Sequence, residues 1–470
     1  MGKPPNQSIG VLQNDPSARE LCLDSENLSI HTRLLVALAS NTRVTRVVIY
    51  PAETTNNNMI LLATCLASNT TVEEVCFYQS WPGNPTRYQH FLKIWLLTMN
   101  YQMLSVALRK LDLHLPDSCA EPFRTFLVKN PSVTELTIGV ASIPVINAVR
   151  GTAVSCLSFG AFMEMPLEAV SRIETDLGAI LTENRIVKLS LRICAAVVLP
   201  VGNALRGNQT IQHLFLYLDS PGITGDQLVY SLDAVASVTT LDYLGIAVHD
   251  QLTTEMKEAA SRILCEMRHL NSFGFKTKGP SWIRILAPML TFLHKVRFDS
   301  RENVSSAPFR FGPALENNTH LRELVIKTNR MSNADITSLS LDLPFITSLE
   351  YLKIEDVKFC KDWFDANGAT KLLEGVENSS SLKEFVLSTS NSEQLIAIGR
   401  ENLNAIYLCC KKRKIEFERL LKEGTLSLFP RILGRLNGFG DAEVDFNLRF
   451  LLLQNKIDLC LAGNKHLNTD

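Results

Sequence analysis

The stretch NNTHLRELVIKTNRMS, residues 317–332, runs an Asn-Asn-Thr turn straight into Leu-x-x-Leu-x-Ile and reaches another Asn three residues later. The same phrase recurs along the chain: NTRVTRVVI from Asn41, NTTVEEVCF from Asn69, NPSVTELTI from Asn130, NQTIQHLFL from Asn208 and NTHLRELVI from Asn318. Each reads Asn-x-x-apolar-x-x-apolar-x-apolar. In a chain this hydrophobic, about a dozen such apolar triples arise by chance, and requiring Asn three residues upstream cuts the expectation to about one. The five copies therefore mark an internal repeat.

Asn tolerates the left-handed region and closes turns with its side chain, so it suits the passage from a helix end into a strand. The apolar-x-x-apolar-x-apolar segment then forms one short strand whose alternate residues face a core, here Leu321, Leu324 and Ile326. Looser copies fill the gaps. First apolar positions fall at Ala18, Val44, Val72, Leu108, Val133, Val154, Ile186, Ile211, Leu241, Leu270, Leu293, Leu321, Leu349, Leu382 and Leu403, with a mean spacing of 27.5 residues and extremes of 21 and 36. Helix-like stretches lie between them, such as 59–69, 169–184, 253–269 and 370–380. A single strand–turn–helix–turn unit cannot bury its own apolar face, but stacked units can.

The LxxLxLxxN phrase, complete only over Leu321–Asn329, resembles the leucine-rich repeat superfamily, and the unit length its ribonuclease-inhibitor-like class. The resemblance covers about residues 18–408. The repeat array closed by a helical tail also looks like leucine-rich repeat proteins of diatoms and related algae. Ala52, Ser80, Pro116 and Asp219 replace the ladder Asn at other repeats. The resemblance implies an α/β solenoid, or horseshoe, with a parallel concave sheet and convex helices. Residues 1–17 read as a flexible tail, 18–408 as an irregular array of about 15 repeats, and 409–470 as a helical C-terminal cap that covers the exposed end of the core.

The 470 residues are 46% hydrophobic and 20% charged, as a folded chain with a large core requires, and the net charge of −1 supplies no field to draw nucleic acid. The first residues carry no apolar signal core, and no run is long enough to span a bilayer. Eleven scattered cysteines without a CxxC read as reduced thiols, so a cytoplasmic location is expected, and the chain is expected to be a monomer. The Asn-x-Ser/Thr triplets belong to the repeat rather than to glycosylation. The basic run 411–414 has the composition of a nuclear address and equally that of a solvated helix face.

No catalytic, metal or cofactor constellation is evident. GNALRGNQT (202–210) has the spacing of a phosphate loop, but Asn208-Gln209 stand where Lys-Ser/Thr must be, so it reads as a helix end and return turn. HExxH and GxSxG are absent. His114 and His213 sit on outward positions of different repeats and read as contacts rather than bases.

Period-two alternation assigns the outward concave positions. Over thirteen strands they carry nine basic and seven acidic residues, too balanced for a nucleic-acid groove. Tyr50 and Tyr78 form one aromatic group; Phe215, Tyr217 and Tyr243 form a second, with Tyr351 further along. Exposed aromatics anchor protein interfaces. Lys276, Lys295, Arg297, Lys327 and Lys353 make a basic sector diluted by Asp299, Glu323 and Glu355, which would suit a protein partner with an acidic epitope. The leading expectation is a non-enzymatic scaffold binding a protein on its concave face. The alternative is a regulatory subunit: a ubiquitin-ligase substrate receptor, for which residues 1–17 are too few to form an F-box, or a GTPase-activating repeat protein, with Arg46, Arg192 and Arg297 as candidate charge donors.

Overall fold

The computed structural model describes residues 19–388 apart from 24–31, 51–54, 79–84, 102–106, 163–166, 219–221, 249–252, 278–286, 301–317, 329–332 and 357–365. The tail over 1–17, Asn329, the basic run 411–414 and the C-terminal segment 409–470 lie outside the described residues. The chain divides into two compact units, Met1–Leu244 and Gly245–Asp470.

In the first unit the strands are β1 (Glu20–Leu23), β2 (Arg46–Ile49), β3 (Glu74–Phe77), β4 (Lys110–Leu113), β5 (Glu135–Ile138), β6 (Cys156–Phe159), β7 (Lys188–Arg192) and β8 (His213–Leu218). Each pairs in parallel with the next in chain order. A ninth strand, β9 (Tyr243–Val248), spans the division between the units. The second unit repeats the pattern with β10 (Ser272–Thr277), β11 (Lys295–Ser300), β12 (Glu323–Thr328), β13 (Tyr351–Asp356) and β14 (Glu384–Ser388), again parallel and sequential. Every strand starts two residues after an apolar position of the repeat, and the crossovers are helices such as Asn56–Ser68, Leu167–Glu183, Thr254–Glu266 and Ala366–Asn378. Within each unit the architecture is that of an α/β leucine-rich-repeat array, with parallel strands in chain order joined by helical crossovers.

The register lines up whole rows of side chains. Leu21, Val47, Val75, Leu111, Leu136, Leu157, Leu189 and Leu214 are successive partners on the inner face of the first unit, and each is at least 97% buried. Phe273, Val296, Leu324 and Leu352 do the same in the second. Full burial of such a side chain stabilises by about 1.5–3 kcal/mol, and a strand of four to six residues contributes only two or three of them. Stacking is therefore what makes each repeat stable. Consecutive helices pack on one another as the strands do.

The return turns work through side chains rather than backbone handedness. Asn69, fully buried, has φ −80°, and Asn130 has φ −123°; among the described residues the non-glycine residue with positive φ is Arg185, at 52°. The left-handed role expected for Asn is thus not used at these two turns. Instead Asn69 Oδ1 accepts from the main-chain N–H of Thr71 and Val72, each at 2.8 Å, while its amide donates to the carbonyls of Leu38 and Asn41. Asn208 caps Thr210 and Ile211 in the same way, and Asn318 caps His320 and Leu321. The hydroxyl two residues after the Asn also has a task. Thr71 donates to Asn41 O at 2.9 Å, and Thr210 reaches Leu181 O at 3.4 Å. The Asn-x-Thr triplets at these two sites are inter-repeat staples. The segment with phosphate-loop spacing is the end of helix Val198–Leu205 followed by Gly207 at φ 71° and the Asn208 turn.

Candidate functional site

Side chains at the first outward position of successive strands in the first unit form an alternating ion ladder: Glu20, Arg46, Glu74, Lys110, Glu135. Arg46 pairs with Glu20 and with Glu74 at 3.3 Å, and Lys110 reaches Glu74 at 2.8 Å. Burial alone would raise the Glu74 carboxyl; the hydrogen bond from Lys110 leads the effects that hold it below its ordinary range. The parallel register places residues about 4.8 Å apart laterally, so opposite charges on neighbouring strands meet without distortion. This arrangement commits Arg46 to two carboxylates.

The second outward row is Cys22, Val48, Cys76, Asp112, Thr137, Ser158, Ser190 and Phe215. Val48 and Cys76 face outward yet are buried, with the Arg46 guanidinium over the Cys76 sulfur at 3.7 Å. Burial pushes the Cys76 thiol up to about 11, so at neutral pH it is a packing group and no nucleophile. Asp112 is half-buried and its carboxyl is raised, by burial first; the charges of Lys110 and Arg46 oppose that shift.

Beyond the strand ends, Tyr50 and Tyr78 stack at 5.6 Å with ring planes 22° apart, and both remain over a third exposed. At the other end of the unit Phe215 and Tyr217 lie 4.5 Å apart by centroid, and Tyr243 sits 6.1 Å from His213. The second aromatic group is half-buried rather than fully exposed. The structure thus brings Phe215, Tyr217 and Tyr243 to neighbouring strands. In the second unit Tyr351 is half-buried beside Glu323 in register.

The basic sector of the second unit is interleaved with carboxylates. Lys295 bonds Glu323 at 3.1 Å, Asp299 stands in register between Lys276 and Lys327, and Glu355 occupies the register position beside Lys327. Arg297 is exposed between Gly274 and Val325, and Lys353 follows Val325 in the same row. One cation of the sector, Lys295, is therefore paired, and carboxylate positions alternate in register with Lys276 and Lys327.

His114 and His213 do not converge. They lie four strand steps apart, about 19 Å across the sheet, and in different outward rows. The His114 ring lies over Gly139, where a Cβ would come within 2.4 Å of Cδ2, and its main-chain N–H donates to the Tyr88 hydroxyl at 2.9 Å. Burial holds the His114 imidazole below its ordinary range, which keeps it neutral. Among the described residues no group of three His, Cys, Asp or Glu could hold a metal ion, and no helix is long and apolar enough to cross a membrane.

Between the ion ladder and the aromatic group the second outward row carries only small side chains, Thr137, Ser158 and Ser190. They floor a depression of about 240 Å³ walled by Lys110, Glu135, Lys188, His213, Phe215 and Tyr243. Emphasis on aromatics and cations passes over this feature. Its signal in the sequence is three consecutive repeats with no large residue at the second outward position.

No protein-family model and no curated protein matches the chain. Among solved structures, that of the Rad7 and Elc1 complex in yeast aligns over 85% of this chain and 81% of that chain at 12% identity, with a TM-score of 0.37. The structure of a TLR13–ssRNA13 complex aligns over 80% of this chain and 55% of that chain at 13% identity, with a TM-score of 0.31.

Proposed function

We propose that the chain is a non-enzymatic interaction scaffold of the ribonuclease-inhibitor-like kind that binds a protein partner on its outward strand face. The observation that carries this reading is the placement of Phe215, Tyr217 and Tyr243, with His213, on neighbouring strands of a sheet whose backbone is pinned by buried Asn turns. Half-buried rings on a preformed surface lose little freedom on binding, which is how a few anchors supply most of an interface's affinity.

The alternating ladder from Glu20 to Glu135 supports a protein partner over a polyanion. Its cations are already compensated, whereas a nucleic-acid groove leaves them for phosphates. No disulfide joins the described cysteines, three of which are buried, and this supports action in the reducing cytoplasm.

A photoreactive residue placed at Tyr217 in one protein, and at exposed Val128 on helix Ala120–Lys129 in another, tests the reading in native extract. Crosslinking of one protein from Tyr217 and not from Val128 is expected. Crosslinking of the same protein from Val128 alone would place the interface on the helices and sink the proposal.

A further inference from the structure

The depression over β5–β7 has a chemistry of its own. Thr137, Ser158 and Ser190 are lateral partners in one row, spanning two strand steps or about 10 Å. All three are half-buried, and among the described residues none of their hydroxyls has a hydrogen-bond partner. Hydroxyls elsewhere on the chain, such as Thr71, Thr240 and Ser348, are taken up by carbonyls of the preceding repeat. Three neighbouring donors left open on a face are available to an acceptor from outside.

The charge around them is uneven. On the β4–β5 side Lys110 is held by Glu74 and Glu135 stands beside Lys110, so these charges answer one another. On the β7 side Lys188 is exposed between Cys156 and His213 in register, and no carboxylate pairs with it among the described residues. Lys188 and Ser190 share one face of β7, so the flexible ammonium and the open hydroxyls reach the same region. Phe215 and Tyr243 close the far wall.

Resting on the concave-face reading above, we propose that this depression receives a short acidic segment of the protein partner. An aromatic side chain of that segment lies against Phe215 and Tyr243, a neighbouring carboxylate is held by Lys188 and the Ser190 hydroxyl, and a second acceptor of the segment by the hydroxyls of Ser158 and Thr137. A basic segment would be repelled by the uncompensated Lys188. A purely apolar segment would leave the three hydroxyls unanswered.

Cys156 lines the depression as a half-exposed thiol and serves as the reporter. The full chain is alkylated with iodoacetamide, and the rate at Cys156 is read by mass spectrometry against exposed Cys22, with each protein compared to itself with and without peptide. The probes are acetyl-Glu-Glu-Phe-Glu-amide and acetyl-Lys-Lys-Phe-Lys-amide. Affinity near the millimolar range is appropriate to so few contacts, so about 1 mM acidic peptide should slow Cys156 about twofold. The basic peptide should leave the rate unchanged. Lys188→Glu, at an exposed position, should abolish the protection with an unchanged circular dichroism spectrum, and Ser158→Leu should abolish it by filling the floor.

Equal protection by both peptides, no protection by either, or protection surviving Lys188→Glu would overturn the proposal. If Tyr217 crosslinks the partner while Cys156 stays unprotected, the interaction face stands and the acidic-segment assignment falls. If Cys156 is protected while crosslinks come only from Val128, the concave-face reading fails and the occupant is not that partner.

Discussion

The side-chain amide of Asn69 donates to the main-chain carbonyl of Leu38 at 2.6 Å, across 31 residues and one full repeat. The same amide reaches Asn41 O at 2.9 Å, and the side-chain oxygen accepts from Thr71 and Val72. One buried side chain thereby satisfies four main-chain groups belonging to two repeats. Leaving buried backbone groups unsatisfied costs about 1–3 kcal/mol each when no water can replace the partner.

Asn69→Ala should therefore destabilise by about 2–4 kcal/mol, read as a fall in the urea midpoint. Asn41→Ala, at a half-buried turn, should cost less. Equal effects of the two substitutions would show that burial of the Asn side chain is not what matters.

Two glycines under the outward face fail for different reasons. A Cβ at Gly139 meets the His114 ring, while one at Gly160 comes within 2.7 Å of the Gly139 carbonyl oxygen. Each substitution to Ala should destabilise by about 1–3 kcal/mol. Adding His114→Ala should restore part of the loss in Gly139→Ala and none in Gly160→Ala, because a side chain can be removed and a carbonyl cannot. Thermal melts of the four proteins decide this.

Asp112 has a carboxyl raised in the folded state, chiefly by burial. For an acid raised above its unfolded value, the ionised form at neutral pH opposes folding, and the penalty disappears as pH falls through the folded value to below the unfolded one near 3.9. Asp112→Asn should therefore raise stability at pH 7 and have no such effect at about pH 3. Glu74 behaves oppositely: its lowered carboxyl contributes stability that is present at neutral pH and lost as pH falls through the folded value. Urea titrations of wild type, Asp112→Asn and Glu74→Gln at both pH values separate the two signs.

Arg185 holds φ at 52° just after helix Leu167–Glu183. A left-handed conformation costs an L-residue roughly 1–2 kcal/mol, against roughly 0.5–1 kcal/mol of extra chain entropy for glycine. Arg185→Gly should therefore stabilise by about 0.5–1 kcal/mol. A lower melting temperature would show that the Arg185 side chain makes contacts worth more than the strain.

Much of the fold is legible in the sequence because the repeat signal is local. A phrase such as NTTVEEVCF carries the turn, the inner row and the outer row within nine residues, since Asn69 caps its own following amides and Val72, Val75 and Phe77 alternate inward. What Asn does at the turn was only half legible: it caps, but Arg185 is the residue that adopts the left-handed region. The outward face was less legible still. Val48 and Cys76 have outward register yet are buried, because Arg46 and its carboxylate partners lie over this part of the row.

The sequence by itself determined the period, the inward rows and the parallel order, because each follows from spacing within a repeat and from the need of every repeat to bury one face on the next. Only the tertiary structure decided which outward groups answer one another. Lys110 is neutralised by Glu74 from the strand before it, while Lys188 is not answered among the described residues, and the hydroxyls of Thr137, Ser158 and Ser190 come together from three repeats. Those relationships join residues 20 to 40 positions apart, and they depend on side-chain reach across a 4.8 Å strand spacing, a quantity no local pattern contains.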